Sequence, residues 1–167
     1  MRAQAAEHWI KTLHLQPHPE GGFYKETYRS TERIVYSVLP RRFTGDRNFS
    51  TAIYFLLRAQ DRSLFHRIKS DELWHFYAGN TLLIYVLDEN GLTTHHLGND
   101  IERGESLQMV IPANTWFGAL VIPGGEYTLA GCTVAPGFDF QDFEFADQQQ
   151  LLKTFPAHSD IIKKLSK

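Results

Sequence analysis

The residues best equipped for chemistry lie in the middle third of the chain. His66, Glu72 and Gly79 have the spacing His-x5-Glu-x6-Gly, across two strand-like runs and the tight connection between them. Successive strand residues point to opposite faces, so alternate residues share one. His66 therefore shares a face with Ile68, and Glu72 shares one with Trp74 and Phe76. If those faces meet inside a barrel, an imidazole and a carboxylate project into an aromatic-lined hollow. Burial there destabilises the charged carboxylate, while a neighbouring imidazolium favours it. An imidazole with an ordinary pKa near ~6.5 suits a base at neutral pH. This assigns His66 the base's role, with Glu72 as orienting group or acid. The same spacing also describes a surface His beside a Glu bridged to Arg67 or Lys69, and alternation alone does not choose.

Substrate-binding candidates surround that pair. Trp74 and Phe76 follow Glu72, Tyr54 lies on an earlier strand, and Gln108 and Trp116 lie on later ones. Arg29 or Arg67 would clamp a carboxylate or phosphate through two parallel hydrogen bonds. Each has an ordinary alternative, as core filling for the aromatics and as a surface ion pair for the arginines. Glu20-Gly21-Gly22 reads as a turn needing glycine's backbone freedom. It is not a phosphate loop, because no helix opens after it. Asp139, Asp142 and Glu144 lack the spacing of a calcium loop.

A metal is the harder case. Non-haem iron takes two histidines and a carboxylate, and zinc takes three or four N, O or S ligands. His66 and Glu72 supply two. His75 could be the third only through a β-bulge, since alternation from Glu72 turns it away. Cys132 reads as a small buried apolar residue, and at most one of His95 and His96 points inward. No resident cofactor is expected; a divalent metal on His66, Glu72 and His75 is the alternative.

The elements that would position these groups are mostly strands. Runs at 23–30, 34–39, 50–57, 64–68, 73–77, 82–87, 93–97, 107–111, 116–121, 127–134 and 138–145 are broken by turn residues such as Asn90-Gly91 and Pro123-Gly124-Gly125. Short strands at regular spacing without intervening helices point to a sandwich or barrel. Helical spacing appears only at the ends. Ala6, Trp9, Ile10 and Leu13 mark a first helix, Asp147 can cap a helix over 148–155, and Ser159 can cap another over 160–165.

Composition removes several function classes. The formal charge is −2, from 17 basic and 19 acidic residues, without a basic block. Phosphate-backbone binding then lacks its electrostatic drive, so nucleic acid is not an expected partner. Neither a secretory core near Met1–Trp9 nor a membrane-length apolar run is present in the sequence. A single cysteine forms no internal disulfide. Together these lead us to expect a cytoplasmic protein with no membrane partner.

A family resemblance sharpens the picture. His66, Glu72 and Gly79 resemble the first cupin motif, although Ile68 stands at its second histidine. Gly104 and Pro112 match the second motif in outline, with Asn114 at a usual glycine and Phe117 near the expected histidine. Blocks at 18–30, 50–57, 65–67, 71–79 and 131–140 are similar to the small cupin-5 family, a domain of unknown function. That resemblance implies a single all-β cupin domain over 1–167, a jelly-roll β-barrel with short N- and C-terminal helices. It also implies a homodimer and an interior pocket for a small-molecule ligand. The expected function is a metal-independent isomerase or epimerase of a small polar or sugar-like metabolite. The alternatives are a non-catalytic small-molecule-binding cupin and a divalent-metal-dependent cupin enzyme.

Overall fold

A computed structural model describes residues 3–167, with side chains from residue 5 onward. Met1 and Arg2, the start of the segment read for a secretory core, lie outside the described residues. Helix α1 (Ala3–Thr12) opens the chain. It is followed by β1 (Gln16–Pro17), β2 (Phe23–Arg29), β3 (Arg33–Ile34), β4 (Arg47–Asn48), β5 (Thr51–Arg58), β6 (Ser63–Arg67) and β7 (Asp71–Gly79). Then come β8 (Leu82–Asp88), β9 (Gly91–Leu97), β10 (Gln108–Ile111), β11 (Trp116–Val121), β12 (Tyr127–Ala135) and β13 (Glu144–Phe145). Helices α2 (Gln148–Thr154) and α3 (Ser159–Leu165) close it.

Eleven strands form two antiparallel sheets, ordered β1-β2-β5-β12-β7-β10 and β13-β6-β11-β8-β9, and β3 and β4 pair as a separate antiparallel ribbon. The two sheets face one another as a jelly roll and do not close into one hydrogen-bonded barrel. Side-chain alternation explains the layering. On β8, Leu82, Ile84 and Val86 point between the sheets to meet Phe55, Leu57 and Ala130. Leu83 and Leu87 point outward beneath α2 and α3, against Leu151, Ile162 and Leu165. β8 is buried on both faces, which is why it reads as an unbroken apolar run. On β5, Phe55 and Leu57 face inward while Leu56 packs under α1 with Ala6, Leu15 and Leu129. Among the described residues, no helix is long and apolar enough to cross a membrane.

Three sequence expectations change. The run at 34–39 keeps only Ile34 as strand, paired with Arg47 of β4, and turns into a 3-10 helix over Tyr36–Val38, where the Tyr36 amide donates to Asp46 Oδ1 at 2.8 Å. The run at 138–145 is also mostly irregular. Asp139 accepts the Gln141 amide and starts a 3-10 turn over Phe140–Asp142, leaving only Glu144–Phe145 as strand. Finally, α3 grows out of a 3-10 turn at Pro156–His158, so Ser159 lies inside the helix and makes no cap. Asp147 does cap α2, accepting the Gln150 amide at 2.8 Å.

The irregular segment after β12 is held by one buried ion pair. Arg47 on β4 donates through Nε and Nη2 to both Asp142 oxygens at 2.6 Å, with each side chain 3% exposed. Lys69 Nζ stands 3.5 Å from Asp142, and Phe43 lies under the Arg47 guanidinium. Truncating one member of such a pair leaves the other charge buried and unpaired. Arg47→Met is therefore expected to cost about 3–5 kcal/mol in denaturant unfolding, and Arg47→Met with Asp142→Leu to recover most of it. A loss below about 1 kcal/mol in the single variant would show that Asp142 does not depend on this partner.

Candidate functional site

A cavity of about 490 Å³ opens at one end of the space between the sheets. Small-ligand pockets span roughly 300–1,000 Å³. β6 supplies His66, β7 supplies Glu72 and Trp74, and β12 supplies Cys132 and Val134. The β1–β2 connection adds His18 and Glu20, and the segment after β12 adds Phe138, Asp139, Phe140 and Phe143. His66 and Glu72 do share one enclosed hollow. β6 and β7 are consecutive in the chain, yet they belong to opposite sheets, so the two side chains approach from facing walls.

The contact that organises the site is one the sequence reading missed. Glu20 Oε2 lies 3.0 Å from His66 Nε2, and Glu20 Oε1 accepts the Ser63 hydroxyl at 2.8 Å. The turn read as plain backbone geometry does the placing. Gly21 has φ +112°, and a Cβ there would sit 2.0 Å from the Arg62 carbonyl oxygen, so only glycine lets the turn lie against the start of β6. The Leu64 amide then donates to the Glu20 carbonyl at 3.0 Å, fixing the carboxyl above Ser63 and His66. The usable signal was a glycine pair directly after an acidic residue.

Both ring nitrogens of His66 are therefore occupied. Nδ1 lies 2.7 Å from the Leu64 carbonyl, which can only accept, so Nδ1 carries a hydrogen. Nε2 and Glu20 must then hold one proton between them. Burial lowers the His66 pKa and raises that of Glu20, and both directions favour a neutral pair with the proton on the carboxyl side. The imidazole lies between Phe117, at 4.2 Å between ring centres, and a stacked Phe143 at 5.1 Å. His18 accepts the Glu20 amide on Nδ1 at 3.2 Å, and burial lowers its pKa as well.

Glu72, 7% exposed, faces this pair from the other sheet. Burial is the main cause that raises its pKa to about 7; His66, Cys132 and Trp74 pull the other way. Trp74 is 1% exposed, and its indole Nε1 is a buried donor with no acceptor among the described residues.

With this geometry in place, known proteins can be compared. The family described as Cupin superfamily (DUF985) matches residues 7–146. The chain belongs to that family. Two solved structures are similar along nearly their whole length. A hypothetical protein from Leishmania major is 37% identical, with TM-score 0.87, and the match covers 96% of this chain and 98% of that one. Protein SO0799 from Shewanella oneidensis is 41% identical, with TM-score 0.85 and 97% of each chain covered. The uncharacterized yeast protein YML079W (Saccharomyces cerevisiae) is 29% identical over 153 residues, 86% of this chain and 76% of its own. Oxalate decarboxylase from Bacillus subtilis, at 14% identity and TM-score 0.54, shares the fold.

Within this cupin, the predicted site residues divide sharply. His66, Glu72, Trp74 and Arg29 line the cavity. Phe76 faces the same interior but packs into the core beyond it. Tyr54 points to the opposite side of β5, beneath α1 and edge-on to Tyr77. Arg67 and Trp116 are on the outer side of their sheet, where Arg67 covers the indole at 4.2 Å and pairs with Glu144 at 2.8 Å. Gln108 is exposed and donates to His75 Nδ1 at 2.9 Å, while His75 Nε2 meets Thr133 at 3.1 Å. His75 thus lies on the outer face, and the triad His66, Glu72 and His75 is not assembled. Ile68 lines the cavity and Phe117 packs on His66, so apolar groups fill two positions where the motif has histidine. No group of three His, Cys, Asp or Glu side chains among the described residues is arranged to hold a metal. Asn114 adopts φ 62°, the left-handed conformation it tolerates better than most residues.

The Glu72 shift has a sign that can be measured. In the folded protein the carboxyl keeps its proton up to pH about 7, whereas in the unfolded chain it ionises near 4.5. Between those values the folded state binds more protons, so stability falls as pH rises, by about 3 kcal/mol in total. Glu72→Gln should abolish this slope, gaining on wild type from pH 5 to 8 in urea unfolding. Parallel pH profiles for the two proteins would mean that Glu72 ionises normally.

Proposed function

We propose that this cupin is a metal-independent proton-transfer enzyme, an isomerase or epimerase acting on a small polar metabolite enclosed in the cavity. The supporting observation is that two sets of proton carriers, Glu72 on β7 and the Glu20–His66 pair anchored on β6, face one aromatic-walled cavity. Glu72 is on one wall and the Glu20–His66 pair on the other. A carboxyl tuned to about 7 can both take and return a proton at neutral pH. In this reading Glu72 is the acid/base group, and His66 is the positioning partner that holds Glu20 and its proton. The Glu72 carboxylate removes the proton next to a carbonyl, and the electron pair passes to the carbonyl oxygen as an enolate. The Trp74 N–H, which makes no hydrogen bond among the described residues, stabilises that oxygen. Protonation of that oxygen, loss of the proton from the adjacent hydroxyl and return of the carbon proton to the former carbonyl carbon complete isomerisation, whereas return of a proton to the original carbon from the opposite wall inverts that centre.

The donor set does not fit a metal: among the described residues no three His, Cys, Asp or Glu side chains are grouped to hold an ion, and both His66 nitrogens are engaged in hydrogen bonds. That same engagement favours a second reading, a binding protein without turnover, in which the pair is purely structural. Homodimer formation belongs to the proposal too, with Leu107, Val110 and Tyr77 exposed at the β10 edge.

Exchange of solvent deuterium separates the two readings without knowledge of the product. Wild-type protein is incubated in deuterated buffer with small aldoses, ketoses and lactones, and loss of the C–H signal beside the carbonyl is followed by NMR. Catalysed exchange is expected to rise with pH through about 7 as Glu72 ionises. Glu72→Gln should slow it roughly 10²–10⁴-fold. Saturable binding with no exchange above buffer would favour the binding protein.

A further inference from the structure

We propose that the cavity takes an uncharged, oxygen-bearing ring compound, a free sugar or lactone rather than a phosphate, nucleotide or carboxylate, with one oxygen seated on the Trp74 N–H. This deepens the reading above and rests on the same cavity.

Three observations converge on it. First, Trp74 Nε1 is a fully buried donor in the cavity wall without an acceptor among the described residues. A buried N–H left unpaired is costly, and an oxygen acceptor supplied by the ligand relieves that cost. Glu72 shares that wall and its carboxyl feels the indole N–H without closing a hydrogen bond to it, so a ligand oxygen seated there meets both groups.

Second, the cavity offers no free positive charge to an anion. Arg29 is the one Lys or Arg in the lining among the described residues, and four of its five N–H donors are committed. Its Nε and Nη2 bind both oxygens of Glu26 at 2.9 and 2.7 Å, and Nη1 donates to Asn48 Oδ1 and the Phe138 carbonyl at 2.9 and 3.0 Å. His18 uses Nδ1 as an acceptor for the Glu20 amide, and His66 sits in a neutral pair with Glu20. An entering phosphate or carboxylate would have to break the bidentate Glu26–Arg29 pair while facing Glu72 and Asp139. A built anion site has the opposite arrangement, a guanidinium fork turned to the ligand.

Third, the rest of the wall is flat and aromatic, from Tyr24, Phe55, Trp74 and Phe143. Such surfaces bury the C–H faces of a ring while a small number of polar groups fix its orientation. A cationic amine would also suit the carboxylates, and the experiment discriminates against it.

The test is calorimetric titration of the full-length wild-type protein with analogues on one ring skeleton: the neutral sugar or lactone, its phosphate ester, its carboxylate and its amine. Saturable binding of the neutral form is expected, with each charged analogue at least about tenfold weaker. Trp74→Phe keeps the aromatic area and should weaken the neutral form up to about tenfold, the value of one hydrogen bond to a buried group. If that variant does not fold, the neutral-to-charged ratio on wild type decides alone. The proposal is overturned if any charged analogue binds as tightly as the neutral one. It is also overturned if no neutral member binds saturably, or if a folded Trp74→Phe binds unchanged. Binding is read without turnover, so failed deuterium exchange leaves this proposal standing. Exchange into an anionic substrate would sink it and keep the proton-transfer reading.

Discussion

A carboxyl and an imidazole 3.0 Å apart, both buried between two sheets, set the terms for the rest of the site. Neither can hold a full charge there cheaply, and neither can point elsewhere. Ser63 and the Leu64 carbonyl occupy their remaining polar atoms. The compromise is one shared proton and no net charge. Neutrality spares the imidazole, enclosed by Phe117 and Phe143, the desolvation cost of a buried charge. Glu72 on the facing wall then sits in a dry surrounding, and burial drives its proton affinity upward.

The backbone detail that makes this possible is local and small. Without a glycine at position 21 the turn could not lie on Arg62, and Glu20 would be withdrawn from β6. Loop geometry and site electrostatics are therefore one constraint. The turn is shaped to bring a carboxylate from β1–β2 to a histidine on the other sheet.

This explains which parts were legible in sequence. Strand positions follow from alternation and turn residues, and β5, β6, β11 and β12 match their expected runs closely. Asp147 was identifiable as a cap because the rule is local. The site was legible only where it used the same local periodicity. Alternation correctly put His66, Glu72 and Trp74 inward and His75 outward. It said nothing of Glu20, whose role depends on a contact spanning more than forty residues and two sheets. Tyr54, Arg67 and Trp116 also escaped it, because period two identifies a shared face but not which face is inside. For Trp116 the answer came from α2 and α3, whose packing makes the outer face of that sheet apolar as well. The segment at 138–145 misled for another reason. Alternating phenylalanines imitate a strand, while Asp139 and Asp142 divert the backbone into a turn.

That diverted segment connects stability to function. A cavity between two sheets tends to collapse unless something rigid covers its mouth, because apolar walls gain by closing on each other. Phe138, Phe140 and Phe143 supply the cover, but phenylalanines alone would sink into the core. Asp142 prevents this. Fixed by both oxygens to Arg47, it holds the segment against β4 instead of the cavity floor. Phe138 and Phe143 then form a wall while Phe140 stays 54% exposed at the rim. Two buried polar contacts thus divide the work. Arg47–Asp142 keeps the hollow from filling, and Glu20–His66 keeps its floor uncharged. On the proposed reading a polar guest would occupy the space that the first maintains, with no competing ion from the second.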